Sequence, residues 1–486
     1  MEILNKPSKE KWENAKGYQW HVTISSTKPE EIDDRIVYIE DLEKRKKAYG
    51  ICGECNEPGT GKKWCQACNA KRFKENFKNW TSGNKDIDDL IQYSQLNAVY
   101  YTKFLEWIPF ENFQNVTYYT RGGFGKIYLA ERPEGYITGW DIENQKWQRG
   151  TSTKVVLKSL DNSSGISKEF LNEIKSHIQI YFWGILQCYG ITQDPNTKDY
   201  MMVLPYCEDG SLRNYYLNNH KEGIKKIYDL FRIANGLLDI HNAGKVHKDF
   251  HSGNLLLYDR AIYISDLGMC QSAYNNNEKS DKKEVCGVLP YMAPEVLRGY
   301  QYTKAADIYS FGIIMNEYFS EEIPFNGIPH DEYLAIQICK GLRPKIFEGT
   351  PKLFADLIMK CWDATAENRP TAKELYEILI KWNEEKKKRN SEIYSQLKEY
   401  DKINKNKLES GSSNNKSENN KPHPQAIYTS RLLNFRQLPE PSSQLYSDAT
   451  PSVSANPISE CLDVQLSESD LIEIEQDENN IIDDLN

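Results

Sequence analysis

The sequence predicts an α+β fold carrying two flanking segments of different texture. Three observations lead there. Between Ile108 and Trp382 the chain has the apolar density of a folded domain, with short β-branched runs first and amphipathic helical runs later. That order belongs to α+β architectures and not to alternating βαβ units. Upstream, four cysteines crowd into residues 51–75, and downstream Lys386-Lys387-Lys388-Arg389 opens a stretch rich in Ser, Asn, Pro and charge.

Composition narrows the class. The 486 residues carry 61 Lys+Arg against 70 Asp+Glu, a formal net charge of −9. A hydrophobic fraction of 39% with 27% charged residues suits a folded core with a polar extension. No apolar run approaches the ~18 residues of a membrane helix, so no membrane partner is expected. The start, Met1-Glu2-Ile3-Leu4-Asn5-Lys6-Pro7-Ser8, lacks the apolar stretch of a secretory signal. Eleven cysteines in such a chain are no disulfide framework, and a cytoplasmic location is expected, with the nucleus left open. Net acidity argues against a dedicated nucleic-acid binder.

In chain order, residues 1–50 are a charged extension in which Ile36, Ile39 and Leu42, spaced among charges up to Lys47, predict a short surface helix. Residues 51–75 hold Cys52-x2-Cys55, nine residues, then Cys65-x2-Cys68. Two such knuckles bring four thiolates within reach of one Zn²⁺ at ~2.3 Å, a closed structural site, with Gly53 and Gly59 allowing tight turns. A redox role has no βαβ setting around it. Lys62, Lys63, Lys71, Arg72 and Lys74 make the module basic, open to an acidic partner or simply solvated. Residues 76–107 read as a linker with a helical segment, 108–382 as the main domain, and 383–486 as a disordered tail. Its apolar content is too low to offset an ordering entropy of ~1–2 kcal/mol per residue. The last 26 residues hold nine acidic and no basic side chains.

Within the main domain, Val116-Thr117-Tyr118-Tyr119-Thr120-Arg121-Gly122-Gly123-Phe124-Gly125-Lys126-Ile127-Tyr128 reads as strand, glycine loop, strand. Glycine allows backbone N–H groups to approach phosphates, although a glycine cluster between strands is more often a plain hairpin. Val155-Val156-Leu157-Lys158 is a buried-strand pattern ending in lysine, and fifteen residues on Glu173 sits in a helical pattern. A strand lysine needs a carboxylate partner to be held, charged, toward phosphate oxygens. Then Val246-His247-Lys248-Asp249-Phe250-His251-Ser252-Gly253-Asn254 places Asp and Asn five apart, and Asp266 follows in Ser265-Asp266-Leu267-Gly268. Pro290-Tyr291-Met292-Ala293-Pro294-Glu295, Ala306-Asp307-Ile308-Tyr309-Ser310-Phe311-Gly312, Cys361-Trp362 and Arg369-Pro370 complete the series. Singly, such residues are turn, cap or surface-pair residues; the ordered set outweighs that reading.

This order and spacing resemble a eukaryotic protein kinase domain of the tyrosine-kinase-like branch, over roughly 108–382. The resemblance implies a bilobal fold, a mainly β N-lobe above a helical C-lobe, transferring the ATP γ-phosphate to protein substrates on Ser/Thr, with Tyr open. It implies that Thr120, Gly122, Gly123, Phe124, Gly125 and Ile127 line the phosphate loop. Lys158, paired with Glu173, would contact the α- and β-phosphates, and Leu204, Pro205, Tyr206 and Cys207 would meet adenine. Asp249 would accept the hydroxyl proton, while Asn254 and Asp266 would hold Mg²⁺. Glu295 with Arg369 would form a structural ion pair, and Asp307 would anchor the catalytic loop.

Four departures stand out. Thr120 replaces the first loop glycine, Lys248 replaces an arginine that reads activation-loop phosphate, His251 replaces a lysine beside the γ-phosphate, and Val288 replaces a threonine. A pseudokinase scaffold is therefore the alternative, with partner proteins on the tail and zinc module; a zinc-dependent nucleic-acid binder is a distant third. Retention of Lys158, Asp249 and Asp266 favours activity. An insertion after Tyr128 carries Trp140 and Trp147, which predict a self-closing hairpin or a partner patch. The activation segment offers Ser272, Tyr274 and Ser280 as acceptors.

Overall fold

The computed structural model describes residues 22–24, 36–122, 125–160, 166–180, 184–218, 222–273, 285–409, 422–435 and 438–440. At the start, β1 (Val22–Ile24) pairs in parallel with β2 (Ile36–Tyr38), and α1 (Leu42–Tyr49) follows. The expected helix over 36–47 is thus corrected. The β-branched pair Ile36-Val37 is buried in a strand, and the helix begins only where the Asp41 side chain accepts from Lys44 N at 2.9 Å. Arg45 of α1 is buried and donates to the carbonyls of Ile39 (2.7 Å), Gly59 (3.0 Å) and Pro58, which pins the cysteine-bearing loop.

Next come α2 (Gln66–Asn76) and α3 (Lys85–Leu96), then β3 (Glu106–Trp107). The N-lobe adds β4 (Gln114–Gly122), β5 (Gly125–Arg132), β6 (Ile137–Asp141), β7 (Lys146–Arg149), β8 (Thr153–Leu160), α4 (Lys168–Gln179), β9 (Gly190–Gln193) and β10 (Tyr200–Pro205). Its main sheet runs β3-β9-β10-β8-β5-β4, antiparallel except for β3 beside β9. The segment 76–107 is more than a linker: Ile87, Leu90 and Ile91 of α3 share one apolar cluster with Phe170 and Ile174 of α4. The insertion forms the β6–β7 hairpin with Trp140 opposite Trp147, ring centroids 5.0 Å apart. It also takes a partner, the cysteine module. Phe73 stacks on Trp147 at 4.7 Å, Arg72 lies 4.1 Å over Trp140, and wholly buried Trp64 donates Nε1–H to Ala98 O at 2.7 Å.

The C-lobe comprises α5 (Leu212–Asn218), α6 (Gly223–Asn242), β11 (Lys245–Val246), β12 (Leu255–Tyr258), β13 (Ala261–Ile264), β14 (Gln271–Ser272), β15 (Val285–Gly287), α7 (Pro294–Leu297), α8 (Lys304–Ser320), α9 (Glu332–Cys339), α10 (Lys352–Cys361) and α11 (Ala372–Glu385). Helix α8 is buried along nearly its whole length and forms the lobe's axis. Gly184 ahead of β9 passes so close to α6 that a Cβ there would lie 2.2 Å from Gly236 Cα, which excludes any side chain. The lobes therefore meet backbone to backbone.

The expected disordered tail is corrected where it is described. It continues as α12 (Glu392–Glu409) and, after residues outside the description, returns as β16 (Arg431–Leu433). Ile393, Leu397 and Tyr400 form an apolar stripe buried against α6. The reason is partly polar: Lys226 of α6 is fully buried and directs its ammonium to Tyr318 O (2.6 Å), Tyr400 Oη (2.8 Å) and Glu321 Oε1 (3.0 Å). The acidic end lies outside the described residues. Tyr400→Phe keeps the shape but removes one acceptor from that ammonium, so it should cost ~1–3 kcal/mol. Thermal unfolding checks this, with exposed Lys402→Ala expected to be silent.

Candidate active site

Strand β8 lies between β5 and β10, with Lys158 opposite both Ile127 and Met202. That central position sets its side chain under the sheet, where Nζ meets Glu173 Oε1 at 2.8 Å and Asp266 Oδ1 at 2.9 Å. Burial works against the Lys158 charge, but the Asp266 and Glu173 carboxylates win and hold its pKa above the ordinary lysine value. Burial likewise opposes ionisation of Asp266, yet Lys158 keeps that carboxyl below its usual range. Asp266 adopts a left-handed backbone, φ 57°, at the turn after β13. Helix α4 is capped by Ser167, whose hydroxyl accepts from Phe170 N at 3.1 Å, and it turns Phe170, Glu173, Ile174 and His177 inward.

The loop after β11 carries the second group. Asn254 Nδ2 donates to Asp249 O at 3.0 Å and to Asp249 Oδ2 at 3.2 Å. Gly253 N donates to His251 Nδ1 at 3.1 Å, so the ring proton belongs on Nε2, which faces Asp249 Oδ2 at 3.5 Å. Asp249 is buried, which would raise its pKa, but His251 and the Ser430 hydroxyl outweigh this and lower it to about 2. Its other oxygen, Oδ1, is buried without a hydrogen-bond partner among the described residues, and Val288 is a buried apolar side chain. Asp307 of α8 ties the loop down, accepting from His247 N (2.9 Å), Lys248 N (3.2 Å) and His241 Nε2 (3.0 Å). Lys248 sits at φ 71° and donates to Gln271 of β14 at 3.2 Å.

On the nucleotide side, Leu204 lies opposite Val156 near the end of β10, and Pro205, Tyr206 and buried Cys207 follow. Tyr206 N donates to Lys154 O at 3.2 Å, and Tyr119 of β4 reaches over to the Tyr206 ring, centroids 6.4 Å apart. Thr120 pairs with Ile127 and Gly122 with Gly125, while Gly123 and Phe124 lie outside the described residues, as do Tyr274 and Ser280. Glu295 and Arg369 form a two-pronged ion pair at 2.7 and 2.8 Å. Cys52, Cys55, Cys65 and Cys68 gather at a separate site of their own, all four sulfurs within 4.8 Å of one another.

Two features escape the sequence reading. One is a buried network in which Glu317 accepts from Tyr216 Oη (2.6 Å), Ser252 Oγ (2.7 Å) and Tyr291 Oη (2.8 Å), with Arg213 bonding Ser252 and Tyr291. The other is Ser430, whose Oγ donates to Asp249 Oδ2. Its signal was present as an apolar island, Ala426-Ile427-Tyr428-Thr429-Ser430-Arg431-Leu432-Leu433-Asn434-Phe435, inside a polar tail.

A β-sheet lobe over a helical lobe, with a paired strand lysine above a loop Asp and Asn, defines the chain as a protein kinase by class. It belongs to the protein tyrosine and serine/threonine kinase family, whose model matches residues 115–379. It is 29% identical over 60% of its length to the probable serine/threonine-protein kinase gdt4 of Dictyostelium discoideum, of which 17% is covered. It is 26% identical over 49% of its length to the serine/threonine/tyrosine-protein kinase HT1 of Arabidopsis thaliana, with 61% of that protein covered. A putative mitogen-activated protein kinase kinase kinase 7-like protein of Drosophila melanogaster is 26% identical over 53% of the chain, with 66% covered. These matches fit the tyrosine-kinase-like branch, and the chain spans less than two thirds of each of these relatives.

His177, one turn after Glu173, yields a prediction. Its Nδ1 lies 3.1 Å from Leu186 O and must donate, which leaves Nε2 buried without a partner among the described residues. Burial chiefly, with Lys158 adding, lowers its pKa from 6.5 to about 4. Above pH 6.5 both folded and unfolded forms are neutral; below it the unfolded chain binds a proton that the folded chain refuses until about pH 4. Stability should fall across that window by about 3 kcal/mol. Urea midpoints at pH 7 and pH 5 should separate less in His177→Gln than in the unaltered chain; equal separation would remove His177 as the cause.

Proposed function

We propose that the chain transfers the γ-phosphate of ATP to serine or threonine hydroxyls of protein substrates. The observation that carries this is the convergence of Lys158, Glu173 and Asp266 above Asp249 and Asn254. In this reading the Lys158 ammonium draws the ATP phosphates into place. An incoming hydroxyl presents its proton to Asp249, ionised at neutral pH, as its oxygen attacks phosphorus and the bond to ADP breaks. Asn254 directs its NH₂ to Asp249, which leaves the amide oxygen, with the Asp266 carboxylate, as hard donors suited to Mg²⁺. Bound Mg²⁺ would neutralise phosphate charge. Names of the matched relatives support Ser/Thr, and one of them is named for tyrosine as well. With all five groups in place the scaffold-only alternative has nothing particular in its favour.

The test is phosphate transfer to casein by the full chain with Mg-ATP. Asp249→Asn and Lys158→Met should each lower the rate ~100- to 10,000-fold, measured by incorporated label. A preparation that binds ATP yet transfers nothing, with unaltered lobes by thermal unfolding, would overturn the reading.

The cysteine cluster supports a second part of the proposal, a structural zinc. Sγ–Sγ separations of 4.0 Å (Cys52–Cys68) and 3.6 Å (Cys55–Cys65) bracket the ~3.8 Å edge of a tetrahedron with ~2.3 Å Zn–S bonds. Four sulfurs fill the coordination shell, so the metal's role would be to fold the loop that seats Trp64. We expect close to one zinc per chain by elemental analysis. Cys55→Ser should lose it and lower the thermal midpoint, and the same zinc content in that variant would defeat the assignment.

A further inference from the structure

The chain's own segment 422–435 lies in front of Asp249, with the Ser430 hydroxyl against its carboxylate. Backbone pairing sets it: β16 runs antiparallel to β15, with Arg431 opposite Gly287, Leu432 opposite Cys286 and Leu433 opposite Val285. Two side chains flank Ser430 as anchors. Leu433 is buried in the C-lobe core. Tyr428 lies under the Arg213 guanidinium at 4.8 Å, edge-on to His330 at 4.7 Å, and donates to Pro324 O at 2.8 Å. His330 fixes the entering backbone, its N donating to Gln425 O and its Nδ1 facing Ile427 O, each at 2.9 Å. Arg431 donates to His330 O at 2.5 Å, and Glu440 pairs with Arg298. Between the anchors, Ser430 points its hydroxyl at Asp249.

From this arrangement we infer that segment 422–435 is a tethered substrate, and that Ser430 accepts the first phosphate the chain transfers. The inference rests on the kinase reading above. Ser430 Oγ attacks the γ-phosphorus of ATP, its bond to the β-phosphate oxygen breaks to release ADP, and the hydroxyl proton passes to Asp249 and then to solvent. The product carries about two negative charges beside the Asp249 carboxylate in a buried site. Repulsion there drives the strand out and opens the groove to other proteins. The same contacts define the acceptor preference: an aromatic residue two before the serine and leucine three after it.

The test uses the full chain with Mg-ATP, casein as a second acceptor, and mass spectrometric site mapping. Phosphate should appear on Ser430 with a rate constant unchanged over a 30-fold dilution, and be absent in Asp249→Asn. Casein should be modified only after a lag, which prior incubation with ATP abolishes. Ser430→Ala, which keeps both anchors, should hold casein labelling at least tenfold down without recovery. Leu433→Asp, and separately Tyr428→Ala, should label casein at once; thermal unfolding verifies that their lobes are intact. Casein labelled from time zero by the unaltered chain, with none on Ser430, would overturn the inference while the kinase reading stands. A Ser430 rate proportional to chain concentration would overturn the tethered route. Rapid labelling by Leu433→Asp alone, with Ser430 never modified in the parent, would reduce the segment to a static block. No label on either acceptor in any variant would remove both readings.

Discussion

An ammonium group buried between two carboxylates governs the arrangement of both lobes. Lys158 cannot stay charged under the sheet without Glu173 and Asp266, and neither carboxylate can stay charged there without Lys158. The three groups come from a central strand, a helix and the turn after β13, so satisfying one charge fixes three elements at once. Register in β8, rotation of α4 and the left-handed backbone at Asp266 are therefore linked. Displacing the Lys158 ammonium leaves the buried Glu173 carboxylate without its cation, which is far costlier than a lost surface pair.

Helix α4 has to be held inward for that linkage to persist, and the N-terminal flank supplies the hold. Its Phe170 and Ile174 share one apolar cluster with Ile87, Leu90 and Ile91 of α3, and Tyr200 of β10 donates to Ser82 O at 3.1 Å just ahead of α3. Helix α3 follows directly from the cysteine module, whose Trp64 and Phe73 dock on the inserted hairpin through Trp147. The four-sulfur site is thus linked through packed side chains to the helix that positions Glu173. Arg72, one of the residues that made the module look basic, is engaged by Glu54, Asn69 and Trp140.

Much of this was legible in the residues, and the boundary of legibility is physical. Motifs that bind phosphate or metal are short and local in sequence, so Lys158, Glu173, Asp249, Asn254, Asp266 and the four cysteines could be picked out before their geometry was known. Elements whose stability comes from tertiary partners were not visible. Helix α12 spaces Ile393, Leu397 and Tyr400 along one helical face, a signal outweighed by its polar surroundings, and what that face meets, with Tyr400 beside the Lys226 ammonium, lies outside the tail. Strand β16 is three residues long and exists only because β15 offers an unpaired edge. Ile36 and Val37 were misread for a related reason: three residues are too few for periodicity to separate strand from helix.

Register gives the tail contact its specificity. Strand side chains alternate, so a slip of one residue along β15 would turn Leu433 out of the core and Ser430 away from Asp249 together. Tyr428 and Leu433, five apart, brace the segment on both sides of the serine and resist such a slip, since each would have to leave its own pocket. The tether reinforces them. A covalently linked segment faces its groove at an effective concentration of about millimolar, so modest contacts keep it seated against free proteins. While the segment is seated, one Asp249 oxygen is covered by the Ser430 hydroxyl, by His251 and by Asn254, and Oδ1 has no hydrogen-bond partner among the described residues. At that aspartate the chain carries a hydroxyl donor of its own, Ser430, beside Asn254 and His251.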